Sequence, residues 1–174
     1  IGLIPELLKR HVSALVLFTS WRQLNAVISG LAEKLAEGLL VQGEGSKQAL
    51  LQEHRQRIDN GQSSYLFGVA SFSEGLDLPG EYCRHVVIVK LPFSVPDDPV
   101  DQAIAEWAEA QGRNAFYEIS VPDASLKLVQ ACGRLIRSES DYGTISMLDK
   151  RIVTQRYGRT LIESLPPFRL DLPA

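Results

Sequence analysis

Two uninterrupted apolar runs, at residues 14–18 and 65–70, limit the folds open to this chain more than any other feature. Runs without polar alternation are typical of strands that are buried on both faces, as in parallel sheets. After the first run, residues 21–36 carry apolar side chains at helical spacing, including Leu24, Val27 and Leu31. Strands that alternate with helices predict an α/β fold, in which helices cover both faces of a parallel sheet.

Similar patterns place the remaining elements. We expect further strands at residues 39–41, 85–91 and 143–148, and further helices at residues 3–10, 46–58, 100–110, 121–138 and 157–164. Three prolines exclude regular structure from the loop at residues 92–99. In such a sheet, ligands bind where the strands end at the carboxyl edge. The polar residues expected at that edge are Thr19, Ser20, Ser71, Glu74 and Asp77.

The composition fits one globular domain. The chain has 174 residues, of which 45% are hydrophobic, and we assign residues 1–165 to the domain and residues 166–174 to a tail. The net charge of -3 argues against nucleic-acid binding by bulk electrostatics and leaves only local contacts. Cys83 and Cys132 lack the spacing of zinc, iron–sulfur or disulfide frameworks, and no apolar run is long enough to span a membrane. Because the chain begins at Ile1 without a methionine, we expect it to be a piece of a longer protein.

The stretch at residues 130–137 concentrates polar chemistry on a predicted helix. Helical spacing places Gln130, Arg134 and Arg137 on one face, with Gly133 between them. Two guanidinium groups on one face suit a polyanion, because guanidinium pairs with phosphate through parallel hydrogen bonds. A solvated surface helix with a few arginines has the same pattern, so this alternative stays open here.

Six motifs, taken in order, resemble those of the second RecA-like motor domain of superfamily 2 helicases, in the DinG and XPD-like branch. They are Leu-Val-Leu-Phe-Thr-Ser at 15–20, Ser-Phe-Ser-Glu-Gly-Leu-Asp-Leu-Pro-Gly at 71–80, Leu-Pro-Phe at 91–93, Gln-Ala-Cys-Gly-Arg-Leu-Ile-Arg-Ser at 130–138, Asp-Tyr-Gly at 141–143 and Leu-Asp-Lys-Arg at 148–151. Together they span nearly the whole chain. The resemblance implies a RecA-like parallel sheet of the P-loop NTPase type, with helices on both faces.

The resemblance implies a catalytic role for the 130–137 stretch. Arg134 and Arg137 resemble arginine fingers, which reach the γ-phosphate of an ATP held by a preceding domain and neutralise charge as the bond breaks. Gln130 resembles a residue that orients the phosphate or the attacking water.

Four more residues would line the same ATP-binding cleft: Glu74, Gly75, Asp77 and Gly133. Glu74 would couple the nucleotide to the DNA path, and Asp77 would meet the ribose or the finger arginines. A static salt-bridge network between these carboxylates and the arginines is the alternative.

The hydroxyl residues resemble those with which these motors hold single-stranded DNA by its phosphates. They are Thr19, Ser20, Ser71 and Ser73. The alternative for Thr19 and Ser20 is that they cap the following helix.

Three aromatic residues are candidates for stacking on DNA bases, namely Trp21, Phe72 and Phe93. Packing in the core or at a domain interface is the more common role for the first two. Phe93, in the proline-rich loop, is expected to be the more exposed candidate.

The implied parent protein is a bacterial ATP-dependent DNA helicase of DNA repair, cytoplasmic and associated with the nucleoid, that unwinds with 5′-to-3′ polarity. ATP and Mg²⁺ would be held mainly by the preceding motor domain. In this branch, the part of the protein that precedes this chain can also bind an iron–sulfur cluster. Residues 43–47 lack the GxxxxGK[ST] spacing of a phosphate loop. We therefore expect no metal site in this chain and no ATP hydrolysis by the chain alone.

The expected partners are single-stranded DNA, the preceding RecA-like domain and a replication or repair protein that docks on the loop at 92–99 or on the tail; no membrane is expected. A second hypothesis is a non-catalytic RecA-like module that only binds other proteins. A third, a free-standing nucleotide-binding enzyme, is disfavoured because the chain has no glycine-rich phosphate loop.

Overall fold

The computed structural model describes residues 2–31, 38–94, 99–136 and 141–172. The chain divides into two compact units. The first contains Ile1–Lys90 and Ala131–Leu148, and the second contains Leu91–Gln130 and Asp149–Ala174. The assignment of residues 1–165 to one domain and 166–174 to a tail stays a prediction.

The first unit is built on a five-stranded sheet in the order β2-β3-β1-β4-β5. All four strand pairs are parallel, so the predicted α/β class and parallel sheet are confirmed. The strands are β1 (Ser13–Phe18), β2 (Leu39–Val41), β3 (Ser64–Val69), β4 (His85–Ile88) and β5 (Thr144–Met147).

The two apolar runs form the centre of this sheet. Every residue of β1 and of β3 is buried, as their uninterrupted hydrophobicity predicts. In the register of this pair Phe18 aligns with Val69, and on the other side of β1 Leu17 aligns with Ile88. The carboxyl ends of β1, β3 and β4 therefore lie side by side at one edge of the sheet.

The described residues of the first unit include the helices α1 (Leu3–Leu8), α2 (Trp21–Leu31) and α3 (Lys47–Asp59). The Ser20 hydroxyl oxygen accepts a hydrogen bond from the Gln23 N–H at 3.2 Å, which is the predicted cap of α2. Ser46 caps α3 in the same way, by accepting from the Ala49 N–H at 3.2 Å. The predicted second half of α2, residues 32–36, lies outside the described residues.

The helix that carries the arginine motif is shorter than predicted. We expected residues 121–138, whereas α5 spans Val121–Cys132. After Cys132 two backbone N–H groups bond to the carbonyl three residues earlier, as in a 3-10 turn. The Arg134 N–H donates to the Ala131 carbonyl and the Leu135 N–H donates to the Cys132 carbonyl. Gly133, a poor helix former, lies at this transition. Arg134 therefore follows the helix and is not part of its face, and Arg137 lies outside the described residues.

The second unit is helical. It contains α4 (Pro99–Ala110), most of α5, α6 (Arg151–Thr154), α7 (Arg156–Glu163) and a π-helical turn (Phe116–Ser120) that the sequence did not predict. Phe93 packs against Phe116 and Tyr157, with ring centroids 5.4 and 5.1 Å apart. Phe93 is thus half-buried in an aromatic cluster.

Asp149 is the buried charge of the second unit. Its carboxylate accepts hydrogen bonds from the Leu91 N–H and the Arg151 N–H, each at 3.1 Å, and from the Arg151 guanidinium at 2.6 Å. Burial alone would raise the pKa of Asp149, but these hydrogen bonds outweigh it and lower the pKa to about 2. The carboxylate thereby ties the loop after β4 to the start of α6.

We expect Asp149→Asn to destabilise the protein by about 2 kcal/mol, because an amide nitrogen would face donors that now bind a carboxylate. Urea unfolding at neutral pH measures this. Asp171→Asn, at an exposed position of the tail, is the matched control and should leave the midpoint unchanged. Equal midpoints for all three proteins would contradict the role given to Asp149.

His54 is one of two buried histidines in the described part of the first unit, the other being His85. Its Nε2 lies 2.8 Å from the Tyr82 carbonyl and its Nδ1 lies 2.9 Å from the Ser64 hydroxyl. Because a carbonyl only accepts, Nε2 carries the proton and Nδ1 accepts from the hydroxyl. Burial lowers the pKa of His54 to about 4, with help from the positive charges of Arg55 and Arg57.

The unfolded chain therefore binds a proton at His54 more readily than the folded chain does. The contribution of His54 to the free energy of unfolding is fully present above pH 6.5. It is lost as the pH drops from 6.5 towards 4, which lowers the free energy of unfolding by about 3 kcal/mol. Urea midpoints measured across this range should fall less steeply in His54→Asn, which keeps the hydrogen-bonding capacity and does not titrate. Parallel slopes in the two proteins would show that His54 does not set the acid sensitivity.

Candidate functional site

The candidate site lies in the first unit, at the carboxyl edge of its sheet. Thr19 and Ser20 follow β1 directly. The neighbouring strand β3 leads into a 3-10 turn (Ala70–Ser73) and then into residues 74–77, the Glu-Gly-Leu-Asp segment. The parallel register thus places side by side two groups of polar residues that are far apart in the sequence.

Burial of its leucine and the backbone conformation of its glycine fix the Glu-Gly-Leu-Asp segment in place. Leu76 is buried, and the following Leu78 is buried as well. Gly75 has a φ of +67°, a backbone conformation that residues with a side chain rarely adopt. Glu74 is exposed, and the Asp77 side chain is 73% exposed. The backbone is therefore anchored while both carboxylates face outward.

Three cationic side chains donate hydrogen bonds to the backbone carbonyls of this segment. The Arg134 guanidinium donates to the Leu76 carbonyl at 3.3 Å, and the Arg55 guanidinium donates to the Asp77 carbonyl at 2.5 Å. The Lys47 ammonium donates to the Glu74 carbonyl. Arg55 also lies 4.0 Å from the Asp77 carboxylate, at the outer limit of an ion pair. Backbone carbonyls thus accept from all three cations, and the static salt-bridge network stays an open alternative for Glu74 and Asp77.

The structure thus brings Arg134 to the Glu-Gly-Leu-Asp segment, 58 residues away in sequence. Gly133 is exposed in the turn just before it. Gln130 is exposed on the last part of α5 and belongs to the second unit. Arg137 lies outside the described residues, so its assignment stays a prediction.

The predicted DNA-binding hydroxyls differ in accessibility. Thr19, Ser20 and Ser71 are exposed. The Thr19 hydroxyl donates to the Gln23 side chain at 3.3 Å, and the Ser20 hydroxyl caps α2. Ser73 is buried, and its hydroxyl donates to the Ala70 carbonyl at 2.7 Å. Its observed role is to close the 3-10 turn.

Sequence reasoning did not find Lys47 and Arg55. Both lie on α3, eight residues or about two helical turns apart, so they project from nearby faces of the helix. That spacing was the available signal. Their acceptors are backbone carbonyls, which leave no trace in a sequence.

Trp21 and Phe72 also differ from each other. Phe72 is buried, as expected of a packing residue. Trp21 is 46% exposed at the first position of α2, next to Ser20. The expectation of packing is confirmed for Phe72, whereas Trp21 presents much of its ring to the surface.

The described part of the chain lacks two further features. No group of three or more His, Cys, Asp or Glu residues in it is arranged to hold a metal ion. None of its helices is both long and apolar enough to cross a membrane.

Comparisons with known proteins agree with this architecture. A family model for the helicase C-terminal domain matches residues 4–168. The ATP-dependent DNA helicase DinG of Photobacterium profundum is 49% identical over 169 residues, which cover 95% of this chain and 24% of that protein. The DinG helicase of Escherichia coli K12 is 40% identical over 165 residues, which cover 95% of this chain and 23% of that protein.

Solved structures extend the comparison to the fold. A structure of apo XPD has a TM-score of 0.73 at 22% identity, covering 93% of this chain and 33% of the other. Domain 2 of the Mss116p DEAD-box helicase has a TM-score of 0.51 at 15% identity, covering 93% of this chain and 52% of the other. The predicted RecA-like fold is thereby confirmed.

The matches also limit what the chain represents. It spans about a quarter of the length of the curated DinG relatives. The predicted resemblance to the DinG and XPD-like branch is confirmed by the family model, the relatives and the fold. This chain belongs to the helicase C-terminal domain family.

Proposed function

We propose that this chain is the C-terminal motor domain of an ATP-dependent DNA helicase, in which Arg134 and Arg137 act on ATP held by a preceding RecA-like domain. The observation that carries the proposal is the hydrogen bond from Arg134 to the Leu76 carbonyl, which holds a guanidinium at the carboxyl edge of the sheet. Ligands of open parallel sheets bind at this edge. The relatives named ATP-dependent DNA helicase DinG support the choice of ligand and of reaction.

The acceptor of Arg134 is important for this role. A carbonyl is neutral, and hydrogen bonds to ionised oxygens are roughly twice as strong as those to neutral ones. A phosphate oxygen would therefore be a stronger acceptor for Arg134 than the Leu76 carbonyl is. In the transition state of phosphoryl transfer, charge spreads over the γ-phosphate oxygens, and Arg134 and Arg137 would neutralise it there. Gln130 would orient the γ-phosphate or the attacking water.

The exposed carboxylates have a complementary role. Asp77, whose side chain is largely exposed, would accept hydrogen bonds from the ribose or from an arginine during closure. Glu74 would pass the state of the nucleotide to the DNA path, because it directly follows the turn that carries Ser71. Gly75 and Gly133 would let backbone approach the nucleotide closely.

Single-stranded DNA would lie along the same edge. Thr19, Ser20 and Ser71 are exposed there and would contact phosphates, which supports grip without sequence preference. Ser73 would act indirectly, by holding the turn that presents Ser71. Closure and reopening of the cleft between the two motor domains would then move the strand, with 5′-to-3′ polarity.

The remaining components would come from the rest of the parent protein. ATP and Mg²⁺ would be bound mainly by the preceding motor domain, and an iron–sulfur cluster, where present, would lie outside this chain. The chain alone would then be inactive as an ATPase. Such a helicase would work in DNA repair on chromosomal DNA, in the bacterial cytoplasm at the nucleoid.

A second candidate function, docking of a replication or repair protein without catalysis, is favoured by one observation. Ile104 and Trp107 lie one turn apart on α4 and are 46% and 59% exposed. An exposed apolar pair of this kind is typical of a contact surface. The docking sites expected from the sequence, the 92–99 loop and the tail, lie partly outside the described residues, and their described parts, 92–94, 99 and 166–172, belong to the same unit.

The ATPase activity of the parent helicase separates these two functions. We expect Arg137→Ala and Arg134→Ala to lower DNA-stimulated turnover by roughly a thousandfold while ATP binding is retained, because the arginines act in the transition state. Arg159→Ala, on the exposed surface of α7, is the matched control and should leave turnover unchanged. Arg134→Lys, which keeps the charge and loses the forked geometry, should also remain impaired.

Unchanged turnover in Arg134→Ala and Arg137→Ala, with normal folding by circular dichroism, would overturn the motor assignment. The docking function would then be the better account of this domain.

A further inference from the structure

Trp21 is the largest exposed apolar side chain at the carboxyl edge of the sheet. It is the first residue of α2 and follows directly after Thr19 and Ser20. A tryptophan at this position has no role in the catalytic proposal. Apolar exposure of this size is costly unless it serves a contact, so a ring at this edge suggests a ligand.

The indole ring of Trp21 lies close to the loop that contains Gly43. A methyl group placed on Gly43 would lie 3.7 Å from the Cη2 and Cζ3 atoms of Trp21, and Gly43 has a φ of +100°. The six-membered part of the indole is therefore near a residue without a side chain, while 46% of Trp21 stays exposed. An aromatic ring with this much exposed surface is available for stacking.

The carboxyl edge of the sheet also carries a cationic group, which favours a polyanion as its ligand. The Lys47 ammonium binds the Glu74 carbonyl and lies 5.6 Å from the Phe72 ring centroid, and neither partner group carries a formal negative charge. Arg22, the next residue after Trp21, is exposed. Glu44 is the opposing carboxylate in the loop that contains Gly43, and it is exposed as well.

We propose that Trp21 is a base-stacking residue that holds single-stranded DNA by its bases, beside the hydroxyl and ammonium groups that hold its phosphates. The proposal rests on the DNA-binding part of the proposed function and adds a contact to bases. Stacking on an aromatic ring is sequence-tolerant because every base has a π-face, and this suits a protein that moves along DNA. The ring would stack on one base at a time as the strand passes Thr19 and Ser20.

Two oligonucleotides separate base contacts from phosphate contacts. One is a thymidine strand, and the other is an abasic strand of the same length, with the same phosphates and no bases. Fluorescence anisotropy with the 174-residue chain measures both affinities. We expect the chain to bind the thymidine strand about tenfold more tightly, as one stacked base contributes.

Trp21→Ala should lose this preference and keep its affinity for the abasic strand, and Trp21→Phe should retain most of the preference. The matched control is Tyr117→Ala, because Tyr117 is an aromatic residue of the second unit that is 47% exposed, close to the value for Trp21. We expect it to behave like the wild type.

A spectroscopic measurement tests the same contact directly. In Trp107→Phe, Trp21 is the one tryptophan left in the chain. Its fluorescence should be quenched by the thymidine strand and not by the abasic strand, because only a stacked base lies against the indole.

The possible failures are distinguishable. If Trp21→Ala keeps the preference for thymidine, or if quenching is equal with both strands, the stacking proposal is wrong and phosphate binding by this edge stands. If the wild type binds both strands with equal affinity, the stacking proposal is also wrong, and phosphate contacts alone account for DNA binding. If the wild type binds neither strand, both the DNA-binding function of this chain and the stacking proposal fail.

Discussion

The candidate site depends on three hydrogen bonds from cationic side chains to one short stretch of backbone. Lys47, Arg55 and Arg134 reach the carbonyls of Glu74, Asp77 and Leu76 from different parts of the sequence. The sheet makes this convergence possible, because the parallel register of β1 and β3 fixes where the segment begins. The segment is consequently held through three of its backbone carbonyls, and its two carboxylates stay exposed.

This arrangement gives the site a specific chemical character. A hydrogen bond to a neutral carbonyl positions a cation without adding a negative charge beside it. The bond to the Leu76 carbonyl holds the Arg134 guanidinium at the carboxyl edge, where we propose that it binds phosphate. Lys47, through its bond to the Glu74 carbonyl, contacts the same segment of that edge. A nucleotide contact and a DNA contact would then share one rigid segment, and this would allow a change at one to be felt at the other.

The sequence predicted the framework better than the site. The buried runs at 14–18 and 65–70 identified the central strands because uninterrupted hydrophobicity is typical of strands buried on both faces. The end of α5 was missed, because apolar spacing continues through Leu135 while the backbone has already tightened after Cys132. Lys47 and Arg55 were missed because a bond to a backbone carbonyl imposes no residue type on the acceptor. The exposure of Trp21 depends on how the β2–α3 loop passes it, and periodicity says nothing of that.

The most direct test of this account is a structure of the parent helicase with ADP and aluminium fluoride, which mimics the transition state of phosphoryl transfer. The account predicts that the Arg134 guanidinium leaves the Leu76 carbonyl and, together with Arg137, lies within hydrogen-bonding distance of the fluoride. A structure in which the cleft is closed around the nucleotide, Arg134 still donates to Leu76 and neither arginine reaches the fluoride would contradict it.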